Sequence, residues 1–176
     1  MPSERFIEQL VGQIGHELAA HNQYVACAVH YDAETLPRLA AFFYAQALEE
    51  RNHAMMIVRY LLDNDVRPRF PALPEPRVDF DDIVEPIALA LDQERTVTDQ
   101  FVALARTARE DGDFQGEQFL GWFLREQTEE VASMSDLLAI ARRAADSPLL
   151  VEEHLAREGA DRGEDPTAPA VAGGAV

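Results

Sequence analysis

Glu50 and His53 stand one helical turn apart on a stripe that otherwise calls for apolar side chains: Leu39, Phe43, Gln46, Glu50, His53, Ile57, Tyr60. Burying a carboxylate and an imidazole without partners is costly, so other groups must compensate them. Three further segments break in the same way. Glu17 interrupts Leu10, Ile14, Glu17, His21, Tyr24, Ala28, Tyr31, and Glu94 interrupts Ile87, Leu91, Glu94, Thr98, Phe101. Gln127 and Glu130 interrupt Leu120, Phe123, Gln127, Glu130, Met134, Leu137. Carboxylates gathered in one core cannot all stay ionised, because desolvation and mutual repulsion force protonation unless cations intervene. Two divalent or trivalent cations would resolve the conflict. Hard oxygen ligands with one imidazole suit iron, whereas a closed zinc site wants cysteines or more histidines. A central carboxylate, most simply Glu50, would bridge the two ions, and such a pair can pass electrons to one dioxygen molecule. Tyr24, two turns from Glu17, would sit just above them to hydrogen-bond a ligand or donate an electron.

These residues need four long helices to hold them. The pattern is helical from about residue 3 to 31. After a short break, Thr35 can cap and Pro37 can open a second helix that runs to about residue 64. Residues 66–81 carry Pro68, Pro71, Pro74 and Pro76 and read as extended chain. A third helix runs from about residue 82 to 111. Gly112-Asp113 is a tight break, with Asp113 capping a fourth helix to about residue 145. Asp146-Ser147-Pro148 starts a short fifth helix to about residue 158, and 159–176, rich in Ala, Gly, Pro and acid, reads as a disordered tail. No segment reads as a strand. The expected fold is all-α: a four-helix bundle over residues 1–158 with a long crossover between helices two and three and a short fifth helix.

The connections set the level of each polar group. The first break centres near residue 34, with Glu17 17 residues before it and Glu50 and His53 16 and 19 after it. The second centres between residues 112 and 113, placing Glu94 opposite Gln127 and Glu130. A helix of about 28 residues is ~42 Å long. Sixteen extended residues reach ~53 Å, enough to return along the bundle and lay helix two parallel to helix three. All six groups then converge in one layer at mid-bundle.

The whole chain agrees with a cation partner. Its 176 residues carry 15 basic side chains, all arginine, against 32 acidic ones, a net charge of -17. That balance argues against nucleic acid and anionic membranes. One cysteine, Cys27, supports neither a disulfide framework nor a thiolate metal site and reads as a small buried hydrophobe. No signal-like start and no span-length apolar run occur, so the expectation is a cytoplasmic protein. His21 reads as a hydrogen-bonded core residue, His16 and His30 as surface, and Trp122 as packing beside the core or a nearby electron donor. Glu49, Glu126 and Glu129 neighbour the stripes of helices two and four. They form either a third cation site or a solvated acidic face.

The assembled motifs resemble the ferritin family, specifically the non-haem bacterial ferritins, over about residues 6–158. The resemblance rests on Glu17 with Tyr24, on Ala47-Leu48-Glu49-Glu50-Arg51-Asn52-His53-Ala54, on Leu91-Asp92-Gln93-Glu94-Arg95, and on the run from Trp122 to Glu130. It implies a ferroxidase centre with Glu17, Glu50 and His53 at one iron and Glu50, Glu94 and Glu130 at the other, Gln127 close by. It implies a third iron site from Glu49, Glu126 and Glu129. It also implies a shell of 24 subunits that oxidises Fe(II) with O2 or H2O2 and stores ferric mineral. Haem is not expected at the bridging glutamate. Bacterioferritins usually carry a haem-ligating Met just after it and a second Glu-x-x-His on helix four. This chain has Arg51 there and Gln127-Thr128-Glu129-Glu130 on helix four. Other readings are a haem-containing bacterioferritin-type cage, a di-iron oxidase or peroxidase without storage, and a metal-free helical scaffold.

Overall fold

A computed structural model describes residues 2–158 and 165–174. Five helices follow one another: α1 (Glu4–Ala33), α2 (Pro37–Asp63), α3 (Glu85–Glu110), α4 (Phe114–Arg143) and α5 (Leu149–Glu158). No strand occurs among the described residues, and the architecture is the expected all-α bundle. Local chemistry sets the ends. Ser3 caps α1 by accepting from the Phe6 amide at 3.1 Å, and Asp113 caps α4 by accepting from Gly116 at 2.9 Å. Gly112 turns the chain between α3 and α4 at φ 69°, a conformation that glycine adopts without steric cost.

The start of α2 differs from the expectation. Thr35 is not its cap: it lies in the left-handed region at φ 63°, and Leu36 occupies the cap position without a side-chain bond. The missing acceptor comes from another helix. Glu152 of α5 accepts from the Arg38 amide at 2.9 Å and the Leu39 amide at 2.8 Å. A carboxylate at a helix N-terminus is also favoured by the helix dipole. α3 likewise begins later than the sequence suggests. Asp82 spends its carboxylate on the amides of Val84 and Glu85, both at 2.8 Å, ahead of the first helical turn.

The extended crossover returns along α1. Pro71 packs at Gly15, Gln23 exchanges two hydrogen bonds with the backbone of Arg77 (2.8 and 2.9 Å), and Tyr31 donates to the Ile83 carbonyl at 2.7 Å. Advancing residues of the crossover thus meet advancing residues of α1. The chain climbs beside α1, and α3 then descends parallel to α2. His30, read as surface, is half-buried instead because Phe80 of the crossover packs 5.2 Å from its ring.

Two apolar clusters fill the bundle. One holds Tyr24, Tyr31, Leu39, Phe43, Ile87, Met134 and Leu137 at the α2 and α3 N-terminal end. The other holds Phe6, Leu10, Ile14, Ile57, Leu61, Phe101, Leu120 and Phe123. On each of the four long helices the polar stripe residues fall between the two clusters.

The tail reads as disordered in sequence, yet residues 165–174 lie against α2 and α4. Ala168, Val171 and Ala172 pack on the second cluster, and Ala172 donates its amide to the Met55 carbonyl at 3.1 Å. Residues 159–164 and 175–176, the rest of that expected tail, lie outside the described residues.

Candidate metal centre

Each of the four long helices delivers a carboxylate to the layer between the clusters. Glu17, Glu50, His53, Glu94, Gln127 and Glu130 are all buried, none more than 2% exposed. Glu17, Glu50 and His53 come closest, each offering a ligand atom within 4.8 Å of the others. His53 Nδ1 faces Glu50 Oε2 at 3.5 Å and Glu17 Oε2 at 3.8 Å, too long for hydrogen bonds. Glu17 Oε2 and His53 Nδ1 accordingly have no hydrogen-bond partner although both are sealed from solvent. Two such atoms facing one point fit a cation that accepts lone pairs from both.

The second half of the layer is tied together by hydrogen bonds. Tyr24 donates its hydroxyl to Glu94 Oε1. Gln127 Nε2 donates to Glu94 Oε2 at 3.0 Å and to the Glu94 carbonyl at 3.3 Å. Glu130 is fully buried, and its charge acts on Tyr24.

The electrostatics record the crowding. Burial, then the charges of Glu94 and Glu17, push the Glu50 carboxyl well above the usual range. Burial also raises Glu94, against the bonds from Tyr24 and Gln127. Burial would raise Glu17 too, but the nearby His53 and Glu50 and the hydrogen bond from Gln13 outweigh it and leave that carboxyl lowered. For His53, burial disfavours the imidazolium, yet the two carboxylates prevail and hold its proton well above the ordinary range. Tyr24 is raised by burial and by the charges of Glu94 and Glu50, so it stays protonated as a donor. Without metal, protons on Glu50 and His53 do the neutralising that a cation would otherwise do.

The other candidates fall around this core. Glu49 and Glu126 are half-buried and Glu129 is exposed. Gln46, itself buried, donates to Glu49. Among the described residues these three acids do not gather at ligand distance from one another. His21 is satisfied by the Ala47 carbonyl, 2.7 Å from Nδ1. Cys27 is buried, which pushes its thiol up to about 11. Gln13, which lies off the stripe, donates to Glu17 Oε1 at 2.7 Å and to Gln100 at 3.2 Å, linking a site carboxylate to α3. Its signal was the i,i+4 spacing to Glu17.

This geometry can be set beside known proteins. Residues 7–144 match the family described as Ferritin-like domain. The chain belongs to the ferritin family. It is 52% identical to ferritin BfrB of Mycolicibacterium smegmatis over 172 residues, 98% of this chain and 95% of that one. A protein of Mycobacterium tuberculosis strain H37Rv with the same identity over 157 residues, 89% of this chain and 87% of its own, is called bacterioferritin BfrB. The bacterial non-heme ferritin of Staphylococcus aureus MRSA252 is 38% identical over 146 residues, 83% of this chain and 88% of its own. Among solved structures, an open pore ferritin from Archaeoglobus fulgidus superposes with a TM-score of 0.84 at 27% identity, over 88% of this chain and 98% of that one. The fold is therefore the ferritin fold. No helix among the described residues is long and apolar enough to cross a membrane.

Proposed function

We propose that the protein is an iron-storage ferritin that oxidises Fe(II) inside each subunit and stores the ferric product in a 24-subunit cytoplasmic shell. The observation that carries this reading is the buried Glu17–Glu50–His53 triad, with two sealed ligand atoms facing one another. In it, Glu17, Glu50 and His53 take one Fe(II), and Glu50, Glu94 and Glu130 take the second, with Glu50 between them. Gln127 orients Glu94. Two Fe(II) ions give two electrons to one O2, which takes up two protons and leaves as hydrogen peroxide; peroxide serves as an alternative oxidant. Entry of the cations displaces protons from Glu50 and His53, and those protons can meet the demand of the reduced oxygen.

Tyr24 holds Glu94 and is placed to pass on an electron. Glu49, Glu126 and Glu129 form a third iron site on the way out of the centre. The layer uses no haem, and Arg51 stands where a haem-ligating Met would be needed. Exposed apolar side chains, among them Tyr44, Leu48, Phe70, Leu73 and Val78, leave surface for contacts between subunits. The catalytic unit is the bundle with its short fifth helix, residues 1–158.

Two measurements test the reading. Anaerobic Fe(II) loading followed by air gives a fast oxidation phase in the wild-type protein that Glu50→Ala with His53→Ala abolishes; unchanged kinetics in that double variant refute the assignment. Light scattering gives the particle mass, and a monomer or dimer refutes the shell.

A further inference from the structure

The C-terminal segment grips α2, which carries His53, and α4, which packs rings against it. On α4, Trp122 Nε1 donates to Asp165 Oδ2 at 2.8 Å. Asp165 is itself pinned by Thr167, whose amide and hydroxyl both donate to Oδ1 at 2.8 Å. On α2, the Ala172 amide reaches the carbonyl of Met55, two residues beyond His53. Trp122 is 8% exposed, and its ring meets the His53 ring edge-on at 5.6 Å and 71°. Phe123 meets the same imidazole at 5.8 Å. His53 therefore packs against a pair of touching aromatic rings on α4, whose centroids lie 5.0 Å apart, and one of them is held by the tail.

We propose that Asp165 is a positioning residue of the metal centre, acting through Trp122 to hold the His53 imidazole in its ligating orientation. The proposal rests on the metal-site reading above. The physical argument is preorganisation. A ligand imidazole binds tightly when its ring orientation is set before the metal arrives, and surrounding groups supply that setting. The indole is fixed at two points: its N–H by a carboxylate and its ring by His53 and Phe123. Without the acceptor, a nearly buried N–H lacks its partner, and the ring can turn away to find another or water. The charge on Asp165 is maintained by the same contacts, since the bond from Trp122 first, and those from Thr167 next, hold its carboxyl below the usual range. A segment that reads as disordered thereby becomes part of the site's support.

Trp122 is the chain's only tryptophan, so its fluorescence reports on the contact directly. Metal-free protein is titrated with Co(II), a redox-stable stand-in for Fe(II), while that emission is followed. Asp165→Ala is expected to raise the titration midpoint several-fold, and Asp165→Asn, whose single acceptor oxygen can serve the Trp122 N–H but not the Thr167 amide as well, to restore it in part. Glu152→Ala serves as the stability control, because it weakens the start of α2 far from Trp122. Wild-type titration in Asp165→Ala, failure of Asp165→Asn to rescue, or an equal shift in Glu152→Ala each overturns the proposal while leaving the metal centre standing. A wild-type emission that ignores Co(II), or responds equally in Glu50→Ala with His53→Ala, overturns both.

Discussion

Tyr24 on α1 donates its hydroxyl to Glu94 on α3, so a phenol that stays protonated holds a carboxylate in place. The bond opposes the burial that raises Glu94. Tyr24→Phe removes it without changing the packing volume much, and Glu94 then holds its proton more tightly. A hydrogen bond to a charged group contributes about 1.5–3 kcal/mol. The expected outcome is weaker binding at the Glu94 position by roughly tenfold or more, read as a slower fast phase in stopped-flow Fe(II) oxidation. An unchanged phase removes Tyr24 from the site.

Pro71 lies against α1 where Gly15 has no side chain. A Cβ on Gly15 would sit 2.5 Å from the Pro71 ring carbon, so Gly15→Ala must push the crossover outward. That movement strains the paired bonds between Gln23 and Arg77. Overpacking of this kind costs about 1–3 kcal/mol. Urea unfolding of the metal-free protein should show the loss, with faster amide exchange at Arg77. Equal midpoints would mean that the crossover yields without cost.

Much of the polar layer was legible because helical periodicity and turn counts are local quantities. Glu17, Glu50, His53, Glu94, Gln127 and Glu130 each break a stripe, and short hairpins leave little freedom in their levels. What escaped notice depends on contacts distant in sequence. Nothing in the run from Asp32 to Pro37 announces that Glu152, more than a hundred residues on, will cap α2. The composition of 165–174 gives no hint of Asp165 meeting Trp122, since Ala, Pro and Thr carry neither period nor charge pattern. Gln13 was passed over for a different reason: a glutamine beside a stripe is ordinary until its partner is known to be Glu17.

Glu152 gives a direct test of that long-range cap. Glu152→Ala leaves the amides of Arg38 and Leu39 without their acceptor, and loss of an N-cap costs about 1 kcal/mol. Thermal unfolding should shift down by a few degrees. Glu152→Gln should recover part of the loss, because an amide oxygen accepts hydrogen bonds but lacks the carboxylate's attraction to the helix dipole. If both variants melt with the wild type, the docking of α5 does not support α2.

The proton load of the layer predicts how stability depends on pH. Glu50, Glu94 and His53 all have folded-state values above their unfolded ones, so the metal-free folded state binds more protons than the unfolded chain. Stability from such groups is complete below their unfolded values and declines as pH rises through the folded ones. Glu17, lowered, works in the opposite sense: its stabilisation is complete above its unfolded value and is lost as pH falls through its folded one. Above about pH 5 Glu17 adds no slope, so the three raised groups give a metal-free protein that weakens as pH climbs from there towards about 8. Divalent cations replace those protons, so the stabilisation by Co(II) should grow over the same range. Melting curves with and without Co(II) across that window check both halves. In Glu50→Gln the burial cost of a charge at that position is gone, so the pH slope of the metal-free protein should flatten. A slope that is unchanged in that variant would show that the layer does not carry the protons assigned to it.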